Sequence, residues 1–274
     1  MLPFPRAHYY VLAFLVLTFI AFSPSYFLRL GEASFAHHLH GITATLWIVL
    51  LASQSWSIHN GRWKVHAWSG RMVFILLPLF LAGGLLATKA TLVRTSAFNE
   101  MFGTALAFAD VFSTAGFALL VWLALRHRKT PDLHARFMLG TITPLIGPSL
   151  ARLFANFIPP FAIRGPDQLY KFGWAVDAAF LVALLFFAVL IIGDLRKGKP
   201  AWPFVFALVI NLIMWMGYKW IGYTDAWISA TEAMARVPGW LWIASGLVMG
   251  IAAVYDGWTR PASPKAPRGA AAPA

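Results

Sequence analysis

The chain has 274 residues, of which 59% are hydrophobic and only 12% charged. Soluble globular domains average about 25% charged residues, so a water-soluble enzyme and a disordered chain are both excluded. With no cysteine, so is a disulfide-stapled secreted domain. The net charge of +12 lies in loops rather than in a patch. In a lipid-embedded chain it reads as basic residues retained on the cytoplasmic side, not as a nucleic-acid surface.

A membrane-spanning helix needs about 20 mostly apolar residues. Eight stretches meet or approach this: residues 9–28, 35–58, 66–88, 101–125, 133–157, 172–193, 201–221 and 238–254. They are too long for barrel strands and lack strand alternation. Lipid demands that backbone groups be satisfied within each segment, which gives helices. The sequence therefore predicts an all-α bundle of eight spans partnered by the bilayer. Residues 1–257 make one transmembrane domain, residues 36–157 its four-helix core (spans two to five), and residues 258–274 a disordered Pro/Ala-rich cytoplasmic tail. Loop charge sets the orientation. Fourteen of the 22 Lys and Arg residues, Arg62, Lys64, Arg128 and Lys129 among them, fall on one side if both termini are cytoplasmic. A cell-membrane location, the inner membrane in a bacterium, follows. Gly140, Pro144, Gly147 and Pro148 should break the fifth span. Gly246 and Gly250 form a small-xxx-small pair in the eighth span, which suits helix packing or a homodimer. Tryptophans near span ends, Trp227 and Trp242 among them, suit the headgroup level.

Ionisable groups inside lipid cost about 2.5–3.5 kcal/mol each on insertion scales, so each asks for a reason. Two layers of them occur. The inner layer holds Gln54, His59, Arg62, His66, Arg71, His134 and Arg136. His66 opens the third span and His134 the fifth. These spans run in the same direction, which sets both imidazoles at similar depth, as axial ligation of a b-type haem requires. Arg71 and Arg136 would then pair with haem propionates. The outer layer holds His37, His38, His40, Asp110, Arg152, Asp177 and Lys219. Asp110 should lie about 13 Å below the outer surface. Its simplest use is ion pairing, Asp110 with Arg152 and Asp177 with Lys219. The alternatives are a metal site from His37, His40 and Asp110, or a proton or substrate relay including Arg152 and Asp177. Phosphate-binding glycine loops, nucleophile elbows and zinc-protease motifs are absent from the sequence.

The run His37-His38, Gln54, Arg62, His66, Gly70-Arg71, His134, Arg136, Met138 and Arg152 resembles domain-of-unknown-function family 2306, a group of uncharacterised bacterial membrane proteins. The resemblance spans roughly residues 36–157. Its pattern is a His opening one helix with a Gln near its end, a basic loop, and His-x-x-x-Gly-Arg opening the next helix. A later helix begins His-Arg-x-Met and ends in Arg. Here the two His-Arg pairs read His66-Ala67 and His134-Ala135-Arg136. A looser likeness, to transmembrane b-type cytochromes, rests on His66 and His134 and implies haem held between helices.

These residues lead to a multi-pass membrane protein with b-type haem near the cytoplasmic face, serving electron transfer with a quinone or another redox protein. A proton-coupled permease using the outer cluster and a non-catalytic assembly factor for a membrane complex are the alternatives.

Overall fold

The structure is a computed structural model and describes residues 2–262. Residues 263–274, most of the expected tail, lie outside them. Eleven α-helices and no strands occur among the described residues. Seven segments are long and apolar enough to cross a membrane: Phe35–His59, Val73–Val93, Ala97–Arg126, Pro131–Phe157, Lys171–Arg196, Trp202–Ile221 and Gly239–Thr259. The chain is therefore read as a multi-pass membrane protein. The first expected span is shorter than foreseen. Helix α1, Ala7–Phe22, has 16 residues and gives way to a 3-10 turn, Phe27–Glu32.

Helix α2 is Phe35–His59. A turn through Gly61, whose φ is +68°, leads to α3, Trp63–Gly70. A break at Arg71 and Met72 separates α3 from α4, Val73–Val93. The expected third span thus divides, and His66 rides on a short, largely exposed helix before the membrane-spanning segment. Helix α5, Ala97–Arg126, is 30 residues long. Ser96 caps it by accepting from the Asn99 N–H at 3.2 Å. It starts four residues earlier than the hydropathy pattern implied, which puts Asp110 near its middle.

The foreseen break in the fifth span is present. Helix α6, Pro131–Gly140, ends where α7, Thr143–Phe157, begins. Pro144 lacks the N–H that would continue the helical ladder from α6, whereas Pro148 is accommodated inside α7. The break carries a bond of its own: the Trp47 indole N–H on α2 donates to Thr141 Oγ1 at 3.0 Å. Helix α8, Lys171–Arg196, is followed by α9, Trp202–Met216, which runs into a π-helical turn, Gly217–Ile221. Helix α10, Asp225–Arg236, was not foreseen. It is amphipathic and too polar to span, so hydropathy passes over it. Helix α11 is Gly239–Thr259.

The core extends beyond spans two to five. One apolar cluster joins residues of α1, α2 and α5 through α9, including Val11, Leu120, Phe187 and Phe204. A second joins α2, α4, α5 and α11 through Trp47, Phe80, Phe117 and Val254. Gly246 and Gly250 lie directly against the backbones of Ala82 and Pro78 on α4. The small-residue pair expected to serve packing or a homodimer is therefore filled by the chain's own α4. Trp242, expected at the headgroup level, is only 7% exposed. Trp227 reaches back from α10 to donate to the Thr104 carbonyl at 2.8 Å.

Candidate functional site

The two histidines that motivated the haem expectation are held alike. His66 Nδ1 lies 3.2 Å from the Gln54 carbonyl on α2. His134 Nδ1 lies 2.8 Å from the Ala124 carbonyl on α5. A carbonyl oxygen only accepts, so each Nδ1 must carry the proton. Each Nε2 then keeps its lone pair and has no protein hydrogen bond among the described residues. A backbone carbonyl on the far nitrogen is the usual support of a metal-ligating imidazole. The two rings are close enough for the His66 charge to act on His134, although they sit on helices 68 residues apart in sequence. Partial burial pushes the His66 imidazole below its ordinary value, and the nearby His59 charge adds to this.

The neighbours sort into free and spent. Arg71 is exposed and makes no ion pair among the described residues. His59 is spent on both nitrogens, against the Ser55 carbonyl at 2.7 Å and the Pro3 carbonyl at 3.0 Å. Gln54 donates to Ser69 Oγ at 2.6 Å, which ties α3 to α2 beside His66. Arg136 departs from its expected role. It is 2% exposed, and its guanidinium grips Asp194 of α8 at 2.6 and 2.8 Å and Asp132 Oδ1 at 3.0 Å. A bidentate carboxylate already fills the place a propionate would take. The sequence reading missed both aspartates. The available signal was Arg136 itself, since a guanidinium buried near the end of a span needs an anionic or carbonyl partner.

The outer-layer residues are held differently, and no direct contact joins Asp110, Arg152, His37 and His40 among the described residues. The Arg152 charge acts on Asp110, His37 and His40 together. The expected Asp110–Arg152 ion pair does not form as a contact, because no salt bridge joins them among the described residues. The Arg152 guanidinium makes one hydrogen bond, to the Pro148 carbonyl at 3.2 Å, and lies over the Phe22 ring at 4.5 Å. The Asp110 carboxylate accepts none, though its backbone carbonyl binds Ser113 and Thr114. His40 packs beside Phe80 with ring centroids 5.3 Å apart. It is admitted by Gly83, where a Cβ would meet the His40 backbone nitrogen at 2.9 Å. His37 bonds Ser34 Oγ at 2.7 Å and His38 bonds Tyr26 at 2.9 Å.

The metal expectation for His37, His40 and Asp110 is corrected. No three His, Cys, Asp or Glu side chains come together to hold a metal ion among the described residues. The guanidinium within range of all three opposes a cation. The second outer pair forms as expected. Lys219 Nζ meets Asp177 Oδ2 at 3.0 Å, and the Trp215 N–H donates to Asp177 Oδ1 at 2.7 Å. No family model, no curated protein and no solved structure matches this chain.

Proposed function

We propose that this multi-pass membrane protein binds a b-type haem between His66 and His134 near the cytoplasmic face of a cell membrane and serves in electron transfer. One observation carries the reading. Two imidazoles on separate helices, within electrostatic reach of each other, have Nδ1 fixed on a backbone carbonyl and Nε2 unspent. This donor set suits a bis-histidine iron centre. Bound haem would supply one-electron chemistry, with a membrane quinone or another redox protein as exchange partner. The chain's own residues orient the ligands. Gln54 and Ala124 set the tautomers, the Gln54–Ser69 bond holds α3 against α2, and Arg71 is the free cation for a propionate.

The test is an absorbance spectrum of the purified full chain, oxidised and reduced, after haem-replete expression. A Soret band should appear in the parent protein and vanish in both His66→Ala and His134→Ala. His59→Ala should keep it, since both His59 nitrogens are spent on carbonyls. A colourless parent protein, or a band indifferent to His66 and His134, would refute the assignment.

A further inference from the structure

The turn from α2 into α3 carries cations and indole rings that no other part of the chain covers. We propose that Arg62, Lys64, Trp63 and Trp68 form a docking site for an anionic phospholipid, with Arg62 and Lys64 on its phosphate and the two tryptophans against its glycerol and upper acyl chains. Three features point to this occupant.

The first is placement. Residues 60–72 join two spanning helices, Phe35–His59 and Val73–Val93, so α3 lies at the membrane surface. One side of α3 is spent on α2. His66 meets the Gln54 carbonyl, Ser69 accepts from the Gln54 side chain, and a Cβ on Gly70 would meet Gln54 Oε1 at 3.1 Å. With 3.6 residues per turn, Lys64 and Trp68 share the opposite side. Trp68 is 70% exposed and Trp63 58%. Indole rings left open in this way favour the boundary of hydrocarbon and headgroup over bulk water.

The second is charge. The sequence has no acidic residue between Glu32 and Glu100. The acidic residues that the other spans bring to this side are already paired, Asp132 and Asp194 with Arg136, and Asp256 with Arg126 and Arg260. Arg62 and Lys64 are exposed and make no ion pair among the described residues. Their counter-charge must come from outside the chain, and at this depth the anion at hand is a lipid headgroup. A zwitterionic headgroup offers the same phosphate but brings a cation of its own to two unpaired positive charges.

The third is shape. Gly61, with φ +68°, turns the chain, and a surface recess of about 400 Å³ opens among Gly61, Arg62, Trp63, Lys64 and Val65. The Arg62 guanidinium lies over the Trp56 ring at 5.1 Å. Stacking fixes its plane and leaves its N–H groups free at the edge. The two non-bridging oxygens of a phosphodiester suit that edge and the Lys64 ammonium together.

The experiment is native mass spectrometry of the full chain in nonionic detergent, with phosphatidylglycerol and phosphatidylcholine of identical acyl chains as probes. A Lys or Arg beside an anionic headgroup is worth roughly fivefold in affinity, so the first phosphatidylglycerol should bind about tenfold or more tighter than phosphatidylcholine. Arg62→Gln with Lys64→Gln should abolish this preference. Arg196→Gln with Lys197→Gln, an exposed pair on the same side by span alternation, should leave it intact. Trp68→Ala should weaken both lipids alike. A parent without preference, or equal loss in the two paired variants, would overturn the proposal. Displacement of the lipid by equimolar inorganic phosphate would overturn it in favour of a soluble anion. A doubled particle mass lost in Trp68→Ala would give the face to a second copy of the chain instead. If the Arg62 and Lys64 variant does not fold, the parent still decides: its preference should collapse as salt rises to about 0.5 M, and a preference indifferent to salt would refute the site. An absorbance spectrum of the same sample reads the haem assignment separately, because neither Arg62 nor Lys64 is a proposed haem contact.

Discussion

Arg136 and Arg152 lie on the two halves of one interrupted helix, and their neighbours treat them in opposite ways. Arg136 on α6 is almost wholly buried and grips Asp194 with two short bonds while Asp132 takes a third nitrogen contact. Arg152 on α7 makes no salt bridge among the described residues, and its guanidinium has one bond, to a backbone carbonyl. The first arrangement leaves no room for a further partner and ties α6 to α8. The second leaves a guanidinium short of partners in the apolar part of the molecule. Position in the sequence does not separate these cases, because both residues are arginines sixteen positions apart on one span. Contact does: the α6 arginine is spent on two carboxylates, and the α7 arginine touches none among the described residues.

The largest effect is expected where this contrast is easiest to break. Asp194→Ala leaves the Arg136 guanidinium buried with only the half-exposed Asp132, and loss of one partner of a buried pair costs about 3–5 kcal/mol. The retained Asp132 bond places the expectation near the lower figure. Thermal unfolding in detergent should show the loss, and the paired replacement Arg136→Met with Asp194→Leu should recover most of it. Asp110→Asn, at the other end, breaks no contact and should change stability by less than about 1 kcal/mol. If both single variants unfold alike, the two arginines are equivalent after all.

A smaller effect is expected at a motif that looks available and proves to be spent. Gly246 of α11 faces the backbone of α4 at Ala82. Gly246→Val forces these helices apart and should cost about 1–3 kcal/mol, as overpacking of a close contact does. Its signature is lower thermal stability with no change in the mass of the purified particle. A change in mass with stability intact would return Gly246 to the role of a dimer contact.

The membrane class, the helical architecture and the break near Pro144 were legible in the sequence because they depend on composition and on proline's missing N–H. Span three was misjudged because its start was carried back through the polar stretch from His66 to Arg71, whereas the apolar run that spans begins only at Val73. Helix α10 was invisible for the opposite reason: its stripe of apolar residues is too diluted by Asp225, Glu232 and Arg236. Candidate histidines could be recognised from the cost of placing them near lipid. Their tautomers could not, since Gln54 and Ala124 contribute backbone carbonyls that any residue would supply. Asp194 was missed because at the end of a span it resembles an ordinary solvated carboxylate until α6 is brought beside it.

The smallest effect concerns His66, the one proposed ligand that lies outside the spanning segments. Partial burial is the main cause holding its imidazole below the ordinary value, the His59 charge acts in the same direction, and the bond to the Gln54 carbonyl opposes both. Between the folded value and about 6.5, the value in an unfolded chain, the unfolded state binds more protons than the folded one. Stability from this group is therefore complete above about pH 6.5 and declines as the pH falls through the folded value. Melting curves of the parent protein and His66→Asn, recorded from pH 8 to pH 5, should run parallel above pH 6.5. They should converge below it as the parent loses its small advantage. At pH 7 the ring is accordingly neutral, so Nε2 offers its lone pair to a ligand without first releasing a proton. Curves that diverge towards acid pH would show His66 gaining a proton on folding, and a ring held in that state is a poor ligand for iron.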